Sequence, residues 1–178
     1  MDLNADFPIL PHIAYGTIEN MGFYITLPFR GISLNQYKKL HHGRVKSLRS
    51  QYKSIIDLIM VASLKKNYIK DFNENGLILN GPLFDGSIDI TWVLTFLLSN
   101  TRDVSNYTQK TVLDSIVSVG IIEDDNEKFV FSDKTIFGHK KVDSITCIMT
   151  GKLYKQKFLV SVPDVKLNNI LDYLGVVK

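Results

Sequence analysis

Four carboxylates stand at two points of the chain where spacing permits chemistry: Asp103, and the run Glu123-Asp124-Asp125. Carboxylates that converge from separate loops suit a hard divalent cation such as Mg²⁺. Such an ion turns water into a nucleophile for phosphodiester hydrolysis. A helix over residues 107–119 would advance about 20 Å at about 1.5 Å per residue. Six extended residues, 120–125, span about 20 Å at about 3.3 Å each. The return can therefore carry Asp124 or Asp125 back beside Asp103. On spacing alone the competing reading is the stronger one: Asp103 caps a helix and 123–125 is a solvated turn.

The elements that would position these acids are legible. Ile88 to Leu98 is continuously apolar enough for a central strand, and it feeds through Ser99-Asn100-Thr101 into Arg102-Asp103. From Tyr107 to Val119, apolar residues at 112, 113, 116 and 117 form one helical face. Ser105 or Asn106 is placed to cap its first amides, and Gly120 to end it.

A second feature lies upstream. Arg30, Lys38, Lys39, Arg44, Lys46, Arg49 and Lys53 fall in a stretch without one acid, interleaved with Tyr37, His41, His42 and Tyr52. A solvated helix face is the usual meaning of a charge run. The complete absence of acids, in a chain with 18 Asp and Glu, favours phosphate binding instead. The two histidines are adjacent with no third ligand nearby, so DNA contact or surface exposure fits them better than metal.

The run Asp103-Val-Ser-Asn106, then Lys110, Asp114 and Gly120-Ile-Ile-Glu-Asp-Asp125, resembles the signature of RusA-type Holliday junction resolvases. That signature reads approximately D-x-D-N, a lysine on the next helix, an aspartate one turn on, then a glycine-led return to D-D. Tyr24-Ile-Thr-Leu-Pro28, with Asn35 and the basic stretch behind it, is similar to the family's opening strand and loop. The resemblance covers roughly residues 23–150 and is specific over 102–130.

It implies a Mg²⁺-dependent endonuclease (Mn²⁺ substituting) that resolves four-way DNA junctions by paired symmetric nicks in recombination and repair. Asp103, Asp125 and Lys110 would be catalytic. Asp103 and Asp125 would hold the metal, with Asp124 and Ser105 as supplements. Lys110 would meet the scissile phosphate, Asn106 would orient the loop, and Asp114 would pair with Lys110 at i,i+4. Arg30, Lys38, Lys39, Arg44, Lys46, Arg49 and Arg102 would bind branched DNA. The family implies a homodimer, whose two-fold axis supplies two symmetric sites. It is widespread in phages and prophages.

The chain departs from that pattern twice. Ser105 stands where the family has its second acid, and the interval from Asn106 to Lys110 is one residue longer than usual. With the insertion elsewhere, Asn106 takes the second-acid position. Either way a hydroxyl or amide replaces a carboxylate. The alternative reading is therefore a catalytically impaired junction-binding or replication-associated module, and beyond it an interaction protein with no nucleic-acid role.

Bulk properties set the frame. A chain of 178 residues, 45% hydrophobic with mean hydropathy +0.04, is one globular domain able to bury a core. Its net charge of +3 is too mild to argue for nucleic acid by itself. The single cysteine, Cys147, lies in an apolar run and reads as a buried thiol. No secretory signal or membrane-length apolar run appears, so a soluble, cytoplasmic protein without membrane partners is expected. No P-loop, Gly-x-Gly-x-x-Gly, Cys/His cluster or nucleophile elbow occurs, which disfavours a small-molecule cofactor or a covalent nucleophile.

The expected fold is α+β, a single domain with a mixed β-sheet and two main helices. Residues 1–22 form an N-terminal arm (residues 1–20 extended or a short added strand), 23–150 the nuclease-like domain, and 151–178 a strand–helix extension packed on it. Strands are expected at 21–29, 77–79 and 143–153. A broken pair at 128–137 turns at Ser132-Asp133, and a strand at 158–162 closes at Pro163. Helices are expected at about 47–67 and at 168–174. Residues 67–90 read as an insertion dense in Asn and Gly.

Overall fold

The structure is a computed structural model that describes residues 13–19, 21–98 and 102–176. In chain order the elements are β1 (Ala14–Ile18), β2 (Gly22–Leu27), β3 (Ile32–Ser33), α1 (Leu34–Lys39), α2 (His42–Ser63), β4 (Ile69–Asn73) and β5 (Gly76–Leu79). There follow β6 (Phe84–Thr95), β7 (Tyr107–Thr108), α3 (Lys110–Val119), β8 (Val130–Phe137), β9 (Ser144–Leu153), β10 (Asp164–Val165) and α4 (Leu167–Leu174). Six strands form one sheet in the order β10-β1-β2-β9-β6-β8.

The period-2 alternation of β2, β9 and β6 fixes their register. Leu27, Ile145 and Leu94 form one cross-strand row; Ile25, Cys147 and Trp92 the next; Phe23, Met149 and Ile90 the third. All nine side chains belong to the main core, which α2 and α3 cover with Ile56, Met60, Val112 and Ile116. The opposite face carries Ile18, Val93 and Ile148, covered by Ile170 and Leu174 of α4. β9 is therefore buried on both faces from Ser144 to Met149. The result is a single α+β domain with a mixed sheet and two main helices, as the patterning predicts.

β6 and β8 run parallel. Parallel neighbours need a crossover, and α3 supplies it. The segment 102–129 that carries the acids is that crossover, which is why the acid loops lie where they do.

Several boundaries differ from expectation, each for a local reason. α3 starts at Lys110 rather than 107, and Ser105 and Asn106 do not cap it. They lie in a separate 3-10 turn, Val104–Asn106, capped by Asp103. Tyr107 and Thr108 are then drawn into antiparallel pairing with Ser33 and Ile32. Gly120 does end α3, at φ 92° with its N–H on the carbonyls of Ile116 and Val117. α2 begins at His42, so its first two turns contain the basic residues. Residues 130–137 form one unbroken strand; Ser132 and Asp133 pair with Asp89 and Ile90 of β6 instead of turning.

Residues 158–162 are not a strand: Phe158 makes a single bridge to Leu64, and the sheet partner is β10, parallel to β1. β1 itself joins the sheet through β2, so residues 14–18 take the strand alternative. The predicted 77–79 strand is β5, and β4 completes its hairpin. Among the described residues, no helix is long and apolar enough to cross a membrane.

Candidate nucleic-acid interface and acidic loop

The acidic loop is built by short local bonds. Asp103 Oδ1 accepts from the Ser105 N–H at 3.0 Å and from Ser105 Oγ at 2.8 Å. Ser105 thus stands beside Asp103 as a hydroxyl donor rather than a second anion. Asn106 contributes its backbone N–H to the Asp103 carbonyl at 3.1 Å, so the turn is shaped by the Asp103–Ser105 pair together with this Asn106 bond.

Gln109 follows, buried, and its Oε1 accepts from Thr135 Oγ1 at 3.1 Å. This bond ties the start of α3 to β8. It carries no signal in sequence, where Gln109 is one more polar residue in a polar loop.

Lys110 is the first residue of α3 and is exposed. Its Nζ lies 3.9 Å from Asp114 Oδ1 and 4.0 Å from Asp125 Oδ2. The first contact is the i,i+4 pair expected. The second places the acid after the helix beside the lysine at its start, although residues 121–126 run as bends rather than as an extended strand. Asp114 also pairs with Arg49 of α2 at 3.4 Å, a link across two helices that neither local pattern contains.

Asp124 serves its own turn. Its carboxylate accepts from the Asp125 N–H at 2.8 Å and from Asn126 Nδ2 at 2.6 Å. The Asp125 N–H, then the Asn126 amide, hold its acid below the usual carboxylate range. Glu123 is exposed on the same loop.

The basic stretch divides in two. Arg30, Lys38, Lys39, Arg44, Lys46 and Arg49 are all exposed, Lys38 and Lys39 at the end of α1 and the rest before or along the first turns of α2. Lys53 departs from the expected phosphate-binding set. Its Nζ bonds both oxygens of Asp57 at 3.0 and 3.2 Å, with side-chain exposures of only 16% and 7%. Gly76, at φ 97°, packs its α-carbon against this pair, where a Cβ would collide with Lys53 Nζ.

Two contacts join the basic and acidic regions. The β3–β7 pairing sets Ser33, which caps α1 through a bond from the Gln36 N–H, opposite Tyr107. Phe96 is flanked by two guanidinium groups, Arg102 at 4.0 Å and Arg30 at 5.9 Å from its ring centroid. These are cation–π distances. Arg30 and Arg102, assigned separately to DNA binding, thus share one aromatic support.

The oxygens of Asp103, Asp124 and Asp125 are of the hard type that Mg²⁺ takes. Among the described residues, however, no three His, Cys, Asp or Glu side chains gather as a metal group. Carboxylates of this kind can serve Mg²⁺ one or two at a time, with water completing its shell. Cys147 is buried, and burial pushes its thiol well above its ordinary value, as a structural thiol requires.

No protein-family model matches the chain, and no curated protein matches it in sequence.

Proposed function

We propose that the protein is a metal-dependent endonuclease of the RusA type that nicks four-way DNA junctions. The observation that carries the reading is the meeting of Lys110 and Asp125 at the start of α3, directly after the Asp103–Ser105 turn and beside exposed cations of α1 and α2. Asp103 and Asp125, with Asp124 and Ser105 as supplements, would hold Mg²⁺ or Mn²⁺. The ion, when bound, supplies a water of lowered pKa for attack on phosphorus.

The chain's own residues do the rest. Lys110 would offer its ammonium to the charge that develops on the phosphoryl oxygens. Arg49 and Asp114 fix the side of α3 from which Lys110 projects. Arg30, Lys38, Lys39, Arg44, Lys46 and Arg102 hold backbone phosphates, which gives salt-sensitive binding that reads shape more than base edges. Paired nicks need two sites related by symmetry, so the working form is a homodimer. The setting proposed is the cytoplasm, with a phage or prophage origin.

Three observations favour a second reading. Ser105 adds no charge, Asp124 spends both oxygens on its own turn, and no three-donor group forms among the described residues. A junction-binding module that does not cut would look the same. The test is nicking of a labelled four-way junction against matched linear duplex with Mg²⁺ or Mn²⁺. Symmetric nicks confined to the junction support the enzyme. Tight junction binding without nicking supports the module. Neither binding nor nicking refutes both.

A further inference from the structure

Among the described residues, a cavity lies beyond the acidic loop, and of its lining only Arg102 figures in the reading above. It measures about 150 Å³ and lies where the parallel strands β6 and β8 end, lined by Arg102, His139, Lys140 and Lys141 with Phe96 and Phe137 on its apolar side. Four of its lining residues are basic and none is acidic. The nearby Asp143 turns its Oδ1 to the Leu97 N–H at 3.0 Å.

The loop that carries Lys140 and Lys141 is anchored at its start. The Gly138 N–H donates to Leu94 O at 2.9 Å, and the N–H groups of His139 and Lys140 donate to Gly175 O and Leu174 O, each at 3.1 Å. Gly138 is required there, because a Cβ would run into the Leu174 carbonyl. Lys140 Nζ sits 3.1 Å from the Tyr173 ring centroid, a cation–π contact that ties the side chain to α4. Cations assembled on a fixed frame lose little entropy when they bind an anion. The carboxyl ends of parallel strands are also a recurrent place for ligands.

Size narrows the occupant. Pockets for whole small-molecule ligands run from about 300 Å³ upward; this one admits an anionic group, not a nucleotide. Its Arg102 wall is the residue before Asp103, and Arg30 stands on the same Phe96, so the cavity continues the basic surface of α1 and α2 past the acidic loop. We propose that this cavity is a phosphate subsite that takes one backbone phosphate of the DNA strand running past Asp103. The inference rests on the DNA reading above and adds Lys140 and Lys141 to the phosphate contact that reading gives Arg102.

The test is the salt dependence of junction binding. Each phosphate contact contributes about 0.9 to the slope of log affinity against log salt on duplex and about 0.7 on single strands. Lys140→Gln/Lys141→Gln should lower that slope by about one contact's worth, and Lys140→Arg/Lys141→Arg should restore it. Lys65→Gln/Lys66→Gln, the same charge change on another exposed surface, should leave it unchanged.

An unchanged slope in the Lys140/Lys141 variant, with a reduced slope in Lys38→Gln/Lys39→Gln, overturns the subsite and leaves the DNA reading intact. A wild-type protein without salt-dependent DNA affinity overturns both. Inorganic phosphate provides a separate arm. If it raises the melting temperature of the wild type but not of Lys140→Gln/Lys141→Gln, and the DNA slopes agree, the cavity holds a free oxyanion and the strand assignment fails.

Discussion

Lys110 Nζ stands 4.0 Å from Asp125 Oδ2 and 3.9 Å from Asp114 Oδ1, so one exposed amine at the start of α3 faces an acid on its own helix and one from beyond the helix end. Exposed pairs of this kind contribute about 0.2–1 kcal/mol. The contact therefore matters for where it holds Asp125, not for stability.

This separates two measurements on Lys110→Gln. Its urea midpoint should stay within about 0.5 kcal/mol of wild type. Its single-turnover nicking rate should fall about 100-fold, the loss expected when one donor to developing charge is removed. A variant equally impaired in both would make Lys110 structural.

Lys53 and Asp57 are the opposite case, a largely buried pair on α2. Asp57→Ala leaves the Lys53 ammonium without its partner, at a cost on the order of 3 kcal/mol, read as a shift in the urea midpoint. Lys53→Met/Asp57→Leu removes both charges and should recover most of that loss. Lys53→Gln should leave the salt dependence of DNA binding unchanged, in contrast to Lys38→Gln.

Much of this layout is legible in the sequence. The crossover from β6 through α3 to the acids followed from the apolar spacing at 112, 113, 116 and 117 and from Gly120, because a helical stripe and its stop are local signals. The start of α3 was not legible. Residues 107 and 108 leave the helix to pair with 32 and 33, a contact between segments some 75 positions apart in number. The continuity of 130–137 was hidden similarly, since Ser132-Asp133 is turn-like by composition and β6 overrides it. The role of Gln109 and the cavity behind Arg102 depend on neighbours from β8 and α4. Lys53 looked like its basic neighbours; only its burial against Asp57 and Gly76 sets it apart.

Alkaline pH should expose a further feature of the core. Tyr52 is buried against Phe29, with ring centroids 4.8 Å apart, and burial pushes its phenol up to about 12. Between pH 10 and 12 the unfolded chain loses this proton while the folded protein keeps it. Stability is therefore fully present below pH 10 and declines as pH rises toward 12. Tyr24, raised by burial and then by Tyr173, and Cys147 add to the decline. Urea midpoints at pH 9 and pH 11 should show a smaller drop for Tyr52→Phe than for wild type. Equal drops would show that the Tyr52 phenol titrates alike in both states.

The most direct measurement is single-turnover nicking of a labelled four-way junction with Mg²⁺, for wild type and Asp125→Asn, with junction affinity measured on the same samples. The account predicts symmetric nicks by the wild type, a rate lower by about 100-fold or more in Asp125→Asn, and affinity changed little. Equal nicking by both proteins would remove Asp125 from the site, and a wild type that binds the junction but never cuts it would contradict the nuclease assignment itself.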